Sequence, residues 1–157
     1  MRYLLGMCAL ICVSSWLSLP ADAMSQGFLF WRNQGVQLSG VLAIVLLSAL
    51  LWLASRPRWL EQHLGGLDHL YQLHKWSGIS CGLVVTLHWV LTKAPRWLID
   101  LGWLQATGRR PHGANPWAGL SRDLGEWAFY GMLLLIVISL IRVLPYGRFR
   151  LIHKLGA

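Results

Sequence analysis

The sequence predicts an all-α membrane protein, on three observations. The composition is apolar and weakly charged, four long runs carry no charged residue, and cations and tryptophans gather where those runs end. Of 157 residues, 55% are hydrophobic and 13% are charged, against about 25% charged in an ordinary soluble domain. Four transmembrane helices and the start of a fifth are expected.

The first run, residues 3–21, follows Arg2 and precedes Asp22. Ala21-Asp22-Ala23 has the small-x-small form of a signal-peptidase site, so residues 1–23 read as a cleaved signal or a first spanning helix, and the length favours a retained helix. Phe28, Phe30 and Trp31 then form an aromatic, interfacial connection. Residues 35–55 are the second run, closed by Arg56-Pro57-Arg58-Trp59. A third helix is expected at about 72–92 and a fourth at about 126–144. Between them Pro95 can start a short helix lying flat on the membrane, with Trp97, Leu98, Leu101 and Leu104 on one face. The stretch through Pro111 and Pro116 reads as turns. Residues 149–157 look like the start of a fifth helix, at which the sequence stops.

The formal charge of +8 is not a nucleic-acid signal, because the basic residues sit in short clusters beside apolar runs. Arg142, Arg148, Arg150 and Lys154 form the densest cluster. With Arg2, Arg56 and Arg58 they predict a multi-pass membrane protein with its amino terminus cytoplasmic. Cys8, Cys12 and Cys81 all lie in apolar stretches and form no Cys-x-x-Cys, which leaves a disulfide framework, a zinc site and covalent haem attachment unsupported.

The third helix carries the chemistry. Residues 76–92 are uncharged, yet His74 and His88 sit near the two ends of this run, where lipid penalises an ionisable group. Fourteen steps of an α-helix bring the second imidazole within roughly 40° of the face of the first and roughly 21 Å along the axis. Between them on that face lie Gly78, Cys81 and Val85, small enough for a shallow trough in which something flat could lie. Imidazole is a usual axial ligand of haem iron, so one histidine per leaflet could serve two haems stacked across a bilayer. His153 falls at the expected depth of His74 and could complete the inner pair. His63, His69 and His112 lie in connections and read as ordinary interfacial residues.

The run from Gly66 to Gly78 with its Leu73-His74-Lys75-Trp76 core, the later His88-Trp89, and the Tyr146-x-x-Phe149-Arg150-x-x-His153 stretch resemble bacterial ferric-reductase-like transmembrane proteins, which share a haem-binding membrane domain with NADPH oxidases. The resemblance covers roughly residues 30–157, within a region taken as 24–157. It implies a six-helix domain with two bis-histidine b-type haems, of which this chain holds an incomplete part. His74 and His153 correspond to the inner iron ligands and His88 to one outer ligand. It also implies a cytoplasmic flavin reductase domain or subunit binding FAD and NAD(P)H, with Lys75, Arg148, Arg150 or Lys154 as partners for haem propionates. No Gly-x-Gly-x-x-Gly occurs, so the FAD and NAD(P)H sites are expected on a missing carboxy-terminal region or a partner.

The function that follows is transmembrane electron transfer through b-type haem, as the membrane part of a ferric-reductase-like oxidoreductase truncated at its carboxy terminus. The alternatives are a haem-carrying membrane subunit of a quinone-linked system, such as one serving a periplasmic methionine sulfoxide reductase, and a non-redox membrane protein whose histidines only pack or bind a divalent metal.

Overall fold

Proline and glycine punctuate the chain. The computed structural model describes residues 2–64, 66–105 and 116–141, and every regular element among them is helical. Helix α1, Arg2–Leu17, gives way to a turn ahead of Pro20, and a short 3₁₀ turn follows at Ala23–Ser25. Extended backbone at Gly27 opens α2, Phe28–Ala54. At its far end the Arg56 amide donates back to the Leu53 carbonyl (3.3 Å), and Arg56 sits at φ 49. The following Pro57 disfavours right-handed helical backbone at Arg56, so the chain leaves the helix through the left-handed region, at about 1–2 kcal/mol for a residue with a Cβ.

The Leu60 amide donates to the Pro57 carbonyl (2.9 Å) and begins α3, Arg58–Leu64. Gly66, at φ 116, makes the turn into α4, a backbone conformation that needs glycine. Helix α4, Leu67–Asp100, places Asp68 in its first turn, where a carboxylate complements the helix dipole. Helix α5, Pro116–Ile141, starts on a proline, which suits a first turn that needs no N–H from that residue.

Two compact units divide the chain, Met1–Leu98 and Ile99–Ala157. In the first, α1 packs on α2, and α2 lies against α4. Leu53, Leu60 and Leu70 bury one another where α2, α3 and α4 meet, with Leu73 against them. Trp52 and Trp59, each next in sequence to a member of this cluster, meet at a tilt with ring centres 5.2 Å apart, and His63 donates from Nδ1 to the Trp59 carbonyl (2.7 Å), a local bond within α3. A largely apolar groove of about 240 Å³ runs between Leu5 and Cys8 of α1, Leu42 and Leu46 of α2, and the Leu73, Ser77 and Val84 side of α4. In the second unit α5 carries Arg122, Asp123 and Glu126 early, and the Tyr130 hydroxyl donates to Glu126 Oε1 (3.0 Å) one turn back.

Many large apolar side chains face outward, while some small and polar ones are buried. Ile44 and Leu83 are 67% and 69% exposed, whereas Ser39, Ser77 and Cys81 are buried. Hydrocarbon removes the incentive for apolar side chains to turn inward, so such helices associate through close packing and hydrogen bonds instead.

Helices occupy all four expected runs, with shifted ends. Helix α2 begins at Phe28 rather than 35, taking in the aromatic connection, and α4 runs unbroken through Pro95 to Asp100. Among the described residues α2 alone is both long and apolar enough to cross a membrane by that measure, while Leu5–Leu17 is a shorter apolar helix. The expected start of a fifth helix, and His153 with it, lie outside the described residues.

Candidate functional site

Helix α4 carries His74 and His88 as its sequence spacing requires, and both are half-buried. Nδ1 of His74 is withdrawn from solvent. His88 is specified in more detail, because α2 surrounds one side of its ring. His88 Nδ1 lies 3.1 Å from the Val36 carbonyl and 3.1 Å from Ser39 Oγ. A carbonyl can only accept, so Nδ1 carries the hydrogen, and in the neutral ring Nε2 keeps the lone pair. Ser39 Oγ–H donates to the Gly35 carbonyl at 2.6 Å, with the Val36 carbonyl farther off at 3.1 Å. That leaves the oxygen lone pairs of Ser39 to accept from the imidazole.

Space for the ring comes from Gly40. A Cβ at that position would stand 3.3 Å from His88 Cε1 and 3.5 Å from Nδ1. At Gly78 the same addition meets only Leu50 Cδ2, at an ordinary 3.9 Å. Gly78→Ala is therefore expected to leave stability unchanged or raise it, by up to about 1 kcal/mol from helix propensity, as read by resistance of helicity to SDS in mixed micelles.

The small-residue stripe between the histidines is used, at least in part, for packing α2. Gly78 faces Leu50 of that helix and Cys81 is 1% exposed. A stripe of small residues marks close helix approach as readily as room for a flat ligand, so the trough is narrower than the spacing alone suggests.

One turn beyond His88, Arg32 of α2 reaches the backbone of α4. Its Nε donates to the Leu91 carbonyl (2.7 Å) and Nη2 to the Thr92 carbonyl (3.0 Å). Leu91 is the residue four before Pro95, so its carbonyl is the one that proline, lacking an N–H, cannot satisfy. Arg32 supplies the missing donor from another helix. This accounts for a helix that continues through Pro95. Nearby, Trp89 meets Trp97 edge-on at 5.6 Å, and Lys93 Nζ lies 5.9 Å from the Trp89 ring centre.

The family model for the ferric reductase like transmembrane component matches residues 39–157. The chain belongs to this family. The ferric reductase like match begins at Ser39, the residue against His88, and takes in His74, His88 and His153, while Arg32 and α1 precede it. No curated protein and no solved structure matches the chain.

Within this ferric reductase like domain, His74 and His88 share α4, and His153 and His112 lie outside the described residues. His69 and Lys75 are exposed, as is Trp76, whereas Trp89 is half-buried. Among the described residues no group of three or more His, Cys, Asp or Glu side chains converges as a metal-ion site. Val36, Ser39, Gly40 and Arg32 escape a reading of the sequence, since their roles depend on how α2 registers against α4. Small and polar residues early in an uncharged run, Ser39 and Gly40 beside Gln37, were the available signal.

Proposed function

We propose that this chain is the membrane electron-transfer part of a ferric-reductase-like oxidoreductase, holding b-type haem through His74 and His153 toward the cytoplasmic leaflet and through His88 toward the outer one. The observation that carries this reading is the hydrogen-bonded state of His88. Its Nδ1–H is committed to the Val36 carbonyl and Ser39, which leaves Nε2 as a lone-pair donor in an apolar helix bundle. Metal-ligating histidines characteristically give their other N–H to an oxygen acceptor in this way, which fixes the tautomer and raises ligand basicity. A histidine that only packed would also need an acceptor for this N–H; what suits ligation is that α2 takes up Nδ1 and leaves Nε2 as the lone-pair atom.

Haem, when bound, supplies a one-electron ferric/ferrous couple between a two-electron donor and an acceptor across the bilayer. The chain's contribution is to present imidazoles at two depths on one rigid helix and to pin the outer ring against α2. Nicotinamide oxidation belongs to a flavin-containing reductase domain or subunit on the cytoplasmic side. The orientation we propose, amino terminus cytoplasmic in a bacterial inner membrane, is supported by Arg56, Arg58 and the basic residues from Arg142 onward for its sidedness, and by the family resemblance for its membrane.

The test is a reduced-minus-oxidised absorption spectrum of the detergent-purified chain after titration with haem. Bands of a b-type haem are expected, and His74→Ala should abolish the inner-haem contribution while helical circular dichroism is retained. A spectrum without haem bands at any ratio would overturn the proposal.

A further inference from the structure

Ser39 is a polar residue on the most apolar helix of the described chain, and it is 3% exposed. Its proton already has an acceptor in its own helix, the Gly35 carbonyl at 2.6 Å, so the serine needs nothing from α4 to be satisfied. Even so, its oxygen stands 3.1 Å from His88 Nδ1, and the next residue, Gly40, omits a side chain where the imidazole lies. The Val36 carbonyl, one residue-turn earlier on α2, meets the same nitrogen at 3.1 Å. Three groups of one helix thus converge on one edge of one ring.

We propose that Ser39 is a positioning residue for His88. Together with the Val36 carbonyl it keeps the hydrogen on Nδ1 and fixes the rotation of the ring, so that Nε2 is the atom offered to haem iron. The proposal rests on the haem reading above, and it names a determinant of ligand geometry outside the histidines themselves. An imidazole free to turn would divide its time between two tautomers, only one of which presents Nε2 as a ligand. Loss of such an outer partner typically lowers metal affinity by roughly 10–100-fold. Because the Val36 carbonyl persists, Ser39→Ala should fall toward the lower end of that range. Ser39→Thr retains a hydroxyl able to bond the preceding turn and should restore much of the effect.

The experiment has two readouts on the full chain in bilayers. The first is the ¹⁵N NMR signature of labelled His88 without added haem, assigned by its loss in His88→Ala. The second is the haem bound when haem is then titrated in. The wild type should show the Nδ1–H tautomer. Ser39→Ala should introduce the Nε2–H form and lower the affinity of the His88-dependent haem about tenfold, and Ser39→Thr should reverse both. Ser77→Ala, which removes the other buried serine among the described residues, should change neither.

A wild-type ring protonated on Nε2 would overturn the proposal. So would an unchanged tautomer and unchanged haem affinity in Ser39→Ala, or equal losses in Ser77→Ala. If the tautomer responds to Ser39 but no variant, wild type included, binds haem, the haem reading falls and the positioning of His88 by Ser39 stands.

Discussion

Arg32→Met is expected to weaken the pairing of α2 with α4 by about 1–2 kcal/mol, for losing one part-buried and one exposed hydrogen bond from a charged donor. Methionine keeps most of the side chain's length and apolar stem, so packing changes little. What goes is the donor to the Leu91 and Thr92 carbonyls. The double mutant is the sharper test. Pro95→Ala restores an N–H that can reach the Leu91 carbonyl from within α4. In that background Arg32→Met should cost about 1 kcal/mol less, as a coupling between neighbouring sites. Unfolding in SDS, followed by circular dichroism across the four proteins of the cycle, measures the coupling. An equal penalty with proline or alanine at 95 would mean that Arg32 does not compensate for the proline.

The second large effect is expected at Gly40. Gly40→Ala already places a Cβ 3.3 Å from the His88 ring, and Gly40→Val adds two methyl groups that have no room unless the imidazole moves. Overpacking of this kind costs about 1–3 kcal/mol. The displaced ring would also part from Val36 and Ser39. Haem dependent on His88 should therefore be largely lost in Gly40→Val and reduced in Gly40→Ala, while haem dependent on His74 is retained. Haem titration monitored at the Soret band separates the two populations when each variant is combined with His74→Ala or His88→Ala. Gly40→Val with undiminished His88-dependent binding would show that the ring has space to spare.

Much of this architecture was legible in the residues. Uncharged runs bounded by Arg56, Arg58 and Arg142 are a one-dimensional signal, and helices formed in all four. The shared face of His74 and His88 follows from helical period alone. The helix ends were less legible, and Arg32 explains two of the differences. The expected second helix starts at 35, after the polar Arg32-Asn33-Gln34 stretch. In the fold the Arg32 guanidinium is turned onto carbonyls of α4, so α2 can begin earlier, at Phe28. Pro95 read as a helix start by the local rule, but a donor 63 positions earlier in the chain removes the main objection to a helix passing through it.

The site divides in the same way. That His88 is chemically distinctive follows from an imidazole in an uncharged helix. Which nitrogen it offers depends on Val36 and Ser39, and that required the register between two helices. Gly78 and Cys81 were ambiguous in principle, since narrow side chains admit a neighbouring helix or a planar guest alike. Leu50 settles part of that question in favour of the helix.

Arg32 has an electrical consequence as well. Its acceptors, the Leu91 and Thr92 carbonyls and Asn33 Oδ1, are all neutral, so none of them offsets the charge of the half-buried guanidinium beside α4. A fixed cation about one turn from His88 makes that end of α4 more welcoming to an arriving negative charge than an uncharged clamp would. The mechanical fastening is thus made from a group that also raises the electrostatic potential at this end of α4.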